Sequence, residues 1–184
     1  MRLDDSIYEY IKEEVIDLFV RYDVKCVPIS GFELATKMGM TMIAYSSLSF
    51  EKLVAANELS QDGFYMESDG KEYIYYNDKM RYGRCNMTIL HEIGHAVLGH
   101  TENMNPEKAE SEASFFAKYA SAPPPLVNKI HPINPEKIAE VFGISYEAAC
   151  NAMNYYQKWL CKFSYKKRYL TYEKKLMNLF NETA

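Results

Sequence analysis

Residues 89–100 read ILHEIGHAVLGH, with His91 and His95 four residues apart and Glu92 directly after the first. On an α-helix a step of four residues is one turn up and only about 40° around, so the two imidazoles project side by side. Two imidazoles so placed can hold one Zn2+ ion. Glu92, about 100° round from His91, cannot share that ligand position. It can take a proton from a water at the metal's open position. This division of labour, two ligands and one general base, is the His-Glu-x-x-His motif of zinc hydrolases. The competing account is an amphipathic helix that carries His and Glu on its surface. Gly94 argues against it, because Gly costs about 1 kcal/mol relative to Ala inside a helix and signals close packing there.

A zinc site of this kind needs a third protein ligand. The extended pattern with a third histidine fails by one residue. Leu98 and Thr101 stand where it needs Gly and His, and Gly99 and His100 fall one place early. His100 is therefore expected to be structural or to cap a helix end. The alternative is a carboxylate on a following helix, and EKAESEASFFAKY offers Glu107, Glu110 and Glu112. Ala113, Phe116 and Ala117 mark the face that would pack on the histidine helix, and Glu110 lies on that face. Glu112 is about 100° off Ala113 and reads as a solvated charge. Glu110 is the expected third ligand and Glu112 the fallback. His131, Tyr82 and Tyr119 could stabilise a tetrahedral oxyanion by residue type alone, and none of them is assigned that role.

These residues must be positioned by the elements around them. Ser6 with Glu9 makes a capping box for a first helix whose apolar face is Ile7, Ile11, Val15, Leu18 and Phe19. Ser30 and Glu33 repeat the signal before FELATKMG. TMIAYS reads as a short strand and SFEKLVAANEL as a short helix. GFYMES and KEYIYYN flank Asp69-Gly70, the dipeptide of a two-residue hairpin turn. The histidine helix is expected to start at Asn86 or Thr88. Asn105-Pro106 and Asn134-Pro135 each open a helix, and Pro123-Pro124-Pro125 should stop the first of them. Ser145 caps a long helix, and a basic one covers about 165–180. The fold class is α+β: a small antiparallel sheet, a zincin-type helical core and a C-terminal helical hairpin. The expected division is 1–125 for the metallopeptidase domain and 126–184 for the C-terminal helical region.

Composition narrows the class. The chain has 184 residues, 48% of them hydrophobic, with 16 Tyr and 9 Phe, which suits a folded core. A formal net charge of -4 argues against a general nucleic-acid binder. Cys26, Cys85, Cys150 and Cys161 form no CxxC pair. With no apolar signal core at the N-terminus and no membrane-length apolar run, a cytoplasmic protein with reduced thiols is expected.

Taken together, TILHEIGHAVLGH and ESEASFFAKYASAPPPLV resemble the ImmA/IrrE family of bacterial and phage metallopeptidases. DGFYMES…EYIYYND is similar to the small sheet before that family's motif, and KIAEVFGISYEAACNAM to its downstream segment. The resemblance runs over roughly residues 25–160. It implies a gluzincin-like site with His91, His95 and Glu110 as zinc ligands and Glu92 as base. It also implies a protein substrate, a helix-turn-helix repressor whose removal derepresses a mobile element or a stress response. The sequence departs from the family at Ser114, where Asn or Asp is usual, and at RCNMT, where Arg-x-Arg-Phe-Thr is common.

Two other readings compete. EKIAEVFGISYEAACNAMNYY has a helix-turn-helix outline, but its second helix from Ser145 to Tyr156 carries no Lys or Arg, so a packed helical hairpin is preferred over DNA binding. SYKKRYLTYEKK is read as a solvated amphipathic face with Phe163, Tyr169, Leu176, Leu179 and Phe180 as anchors. The third class is a metal-containing regulator that binds a repressor or DNA and cleaves little.

Overall fold

The computed structural model describes residues 3–101, 103–166 and 168–181. In chain order the elements are α1 (Asp5–Arg21), α2 (Gly31–Met38), β1 (Thr41–Ala44), a 3₁₀ turn (Tyr45–Ser47), α3 (Phe50–Leu59), β2 (Gly63–Ser68), β3 (Lys71–Tyr76), α4 (Tyr82–Val97), α5 (Pro106–Ser121), α6 (Pro124–Lys129), α7 (Pro135–Phe142), α8 (Tyr146–Lys166) and α9 (Thr171–Leu179). The expected α+β class holds. The chain forms two compact units, one of Ser30–Ala117 with Leu3, the other of Asp4–Ile29 with the chain from Lys118 on.

In the first unit Ser30 accepts a hydrogen bond from the Glu33 N–H and starts α2. Asp69 and Gly70, both at positive φ (52° and 69°), make the two-residue turn that joins β2 to β3. The pairing is antiparallel with Tyr65 opposite Ile74. β1 joins the other side of β3 in parallel, so the sheet order is β1-β3-β2 and the sheet is mixed. α4 packs on α2 and on both hairpin strands. Ile74, Ile89, Leu90 and Ile93 are fully buried, each worth ~1.5–3 kcal/mol of transfer free energy.

α4 begins at Tyr82 with Arg81 as its N-cap, ahead of the expected start at Asn86 or Thr88. Asn86 lies within the helix and is buried, and its Oδ1 accepts from the Gly31 N–H at 2.7 Å. A side chain that often caps the start of a helix is here satisfied by a partner distant in sequence, so its capping preference has no effect.

The second unit is helical. α1 packs on α9, α7 on α8, and α6 on both α8 and α9. α1 begins at Asp5 after Asp4, not at a Ser6–Glu9 box. The Glu9 carboxylate instead accepts from Lys12 Nζ at 2.8 Å and from the Tyr172 hydroxyl at 2.6 Å. The three prolines end α5 and also start a helix, Pro123 being the N-cap of α6 and Pro124 its first residue. α7 and α8 form the expected hairpin across Gly143, with Asn134 and Ser145 as caps. α8 runs on to Lys166 and a separate α9 follows, where one helix over 165–180 was expected. Lys167 of the basic stretch lies outside the described residues. Trp159 stacks on Phe163 at 4.8 Å, and its Nε1 donates to Glu173 at 2.6 Å. Glu173 also accepts from the Leu170 N–H at 2.8 Å, closing the start of α9.

All four cysteines are free. No helix among the described residues is long and apolar enough to cross a membrane.

Candidate metal centre

His91 and His95 leave α4 one turn apart, and their Nε2 atoms stand 3.1 Å from each other. Glu110, in the second turn of α5, brings Oε2 to 3.2 Å from His91 Nε2 and Oε1 to 3.3 Å from His95 Nε2. One ligand atom from each of the three residues lies within 4.8 Å of the others. Four ligands held tetrahedrally at ~2.0–2.1 Å from one ion are about 3.3 Å apart, so these separations fit a single small cation. The structure thus brings together the three residues singled out in the sequence.

Local sequence explains how they meet. Asn105 Oδ1 accepts from the Lys108 N–H and Pro106 opens α5, which sets where Glu110 falls on the helix. Phe116 covers Gly94 so closely that a Cβ there would lie 3.1 Å from the ring carbons. Ala113, Phe116 and Ala117 are all buried, as the expected packing face requires. The missing side chain at 94 lets the carboxylate-bearing helix come within reach of the imidazoles.

Burial and the neighbouring His91 push the His95 imidazole well below its ordinary pKa. It is neutral at pH 7, the form that offers a lone pair to a metal. Glu92 is buried (7% exposed) and its Oε2 accepts from the Tyr65 N–H of β2 at 2.9 Å. Burial raises the Glu92 carboxyl to about 7, with the Glu110 charge adding to the rise and the Tyr65 N–H opposing it. A carboxylate tuned into that range suits general-base work near neutral pH. Glu92, Tyr65, His95 and Glu110 line one cleft of ≈ 300 Å³ together with Phe64 and Met104.

Glu112 is not the solvated charge expected from the helix wheel. Its side chain is 13% exposed and its Oε2 lies 2.9 Å from His100 Nε2. The wheel weighed α5 against α4 alone, whereas His100 lies just beyond α4 and folds back to meet Glu112. His100 in turn places Nδ1 3.0 Å from His95 Nδ1. Tyr82 is exposed and stacks on Phe32, away from the cleft lining, while Tyr119 and His131 belong to the second unit. The Tyr65 N–H escaped sequence reading because a main-chain donor carries no residue signature.

Comparisons with known proteins bear on the fold and the family. The chain matches a solved structure titled Mycobacterium tuberculosis transcriptional regulator at TM-score 0.53 and 12% identity, over 77% of this chain and 45% of that one. That likeness concerns the fold, and the chain spans under half of that structure's length. A search of curated protein sequences found no match. The model of the peptidase M78 family, described as the IrrE N-terminal-like domain, matches residues 50–154. With that match covering more than half of its 184 residues, the chain belongs to the M78 peptidase family.

Proposed function

We propose that this chain is a zinc-dependent peptidase in which His91, His95 and Glu110 hold the metal and Glu92 is the general base. The observation that carries the reading is the set of 3.1–3.3 Å separations among the three ligand atoms, beside a buried carboxylate that lines the same cleft. Two imidazoles and one carboxylate, with one position left open, are the donor set of catalytic zinc. When bound, the metal supplies Lewis acidity, which acidifies a water and polarises a carbonyl. Glu92 would take a proton from a water in the cleft and pass it to the leaving amine. The Tyr65 N–H holds the Glu92 carboxylate in place while it does so.

The edge of β2 suits an extended peptide. In the antiparallel ladder Tyr65 occupies a position whose main-chain groups point away from β3, as its bond to Glu92 requires. An incoming chain can pair along that edge toward Glu67. A helix-turn-helix repressor is the substrate that the family resemblance implies, and the fold likeness to a structure titled transcriptional regulator is compatible with a regulatory setting. A cytoplasmic setting, where four free thiols persist, agrees with that choice.

The test begins with metal content per chain by elemental analysis, for the protein and for Glu110→Ala. About one zinc per chain, lost in the variant, is the expected result. The zinc-loaded protein and Glu92→Gln are then incubated with a helix-turn-helix repressor and the fragments weighed by mass spectrometry. Cleavage that disappears in Glu92→Gln is expected. Repressor displaced from DNA equally by both proteins, without fragments, would replace the peptidase with a binding regulator.

A further inference from the structure

α5 addresses His95 at both of its ring nitrogens. Glu110 faces Nε2 at 3.3 Å. Two residues further on, Glu112 reaches the opposite side of the ring through His100, with steps of 2.9 Å and 3.0 Å. The chain is enclosed, the His100 side chain being only 4% exposed. Its members are anchored. The His100 N–H donates to the His95 carbonyl at 3.0 Å, and Lys108 Nζ lies 3.7 Å from the second oxygen of Glu112.

We propose that Glu112 and His100 are a positioning pair that fixes the tautomer and ring orientation of His95. The proposal rests on the metal-site reading above. Its logic is a proton inventory. A carboxylate only accepts, so His100 Nε2 carries the hydrogen that faces Glu112. In the neutral form His100 then has a lone pair on Nδ1, which accepts the Nδ1–H of His95. That leaves the lone pair of His95 on Nε2, the atom that faces His91 and Glu110. One carboxylate at the end of the chain thus decides which nitrogen of His95 is offered to a metal. The hydrogen bond at Nδ1 also makes Nε2 a better electron donor and stops the ring from turning. Sequence reading missed the pair because neither member is a ligand. His100 sits one residue out of the three-histidine pattern, where only the fold can give it a partner.

The experiment compares the full chain with Glu112→Gln, His100→Gln and the double variant. Three quantities are read: Zn2+ affinity by chelator competition, the visible absorption of the Co2+-loaded protein, and the unfolding midpoint of the metal-free protein. An amide at 112 can donate as well as accept, so it no longer dictates the direction of the chain. Each single variant is expected to bind Zn2+ about 10–100-fold more weakly and to show an altered Co2+ spectrum. The double variant should be no worse than the weaker single one, since links in series are not additive. Variants that bind as tightly as the parent with an unchanged Co2+ spectrum overturn the pair's role and leave the metal site standing. A lower metal-free midpoint with unchanged affinity and spectrum overturns it too, in favour of a purely structural part. A parent protein that binds neither Zn2+ nor Co2+ overturns both this proposal and the peptidase reading.

Discussion

Each unit contains a cluster of partly buried titratable groups, and the two clusters are built on opposite logic. In the second unit every carboxylate in the cluster meets donors. Glu9 receives Lys12 and Tyr172, and Glu173 receives Trp159 and the Leu170 N–H. These donors satisfy both carboxylates and tie α1, α8 and α9 together. In the first unit two imidazole nitrogens and a carboxylate turn toward one point within 3.1–3.3 Å. A cation bound at that point would complete the set. A polar cluster that closes on itself holds a fold, and one that converges on a shared point forms a site.

Mutations should break the two clusters in different ways. The largest effect expected is from Glu92→Gln, a fall of about 10²–10⁴-fold in cleavage rate with metal content unchanged, measured by turnover of a cleaved protein substrate. Next is His95→Ala, whose loss of Zn2+ affinity should exceed the ~10–100-fold typical of an outer partner. Competition with a chelator measures it. The second cluster should respond in stability alone. Tyr172→Phe removes the 2.6 Å bond to Glu9 and is expected to cost about 1 kcal/mol in denaturant unfolding, with Zn2+ affinity unchanged. A comparable loss of affinity in that variant would erase the distinction between the clusters.

The smallest effect is in acid. Burial alone would raise the Glu9 carboxyl, but Lys12 and the Tyr172 hydroxyl outweigh it and hold its pKa below the usual value. A depressed folded-state pKa contributes stability above the unfolded value, and that contribution is lost as pH falls through the folded one. Stability curves of the parent and Glu9→Gln should therefore differ most near neutrality and converge below the carboxylate range.

Much of this was legible in the chain. The family resemblance drawn from the HEIGH and ESEASFFAKY segments is borne out by the family match. Helix starts at Ser30, Asn105 and Asn134 and the turn at Asp69-Gly70 were readable because each rests on a local hydrogen bond or a backbone preference of one or two residues. What failed depended on distant partners. Asn86 reads as a cap until Gly31 claims it, Glu9 as half of a capping box until Tyr172 does, and Glu112 as a surface charge until His100 does. The proline run ends α5 as expected, and the short helix it also opens went unread, since the residues that end one helix are equally suited to begin the next.

The bond between the Glu92 carboxylate and the Tyr65 N–H has a consequence for how this cleft can diverge. Every amino acid but proline brings the same donor to position 65, so substitution there does not strip the Glu92 carboxylate of its partner. Tyr65 lines the cleft, while the donor to Glu92 is supplied by its backbone. Substitutions at position 65 can therefore reshape the cleft wall while the Glu92 carboxylate keeps its main-chain partner.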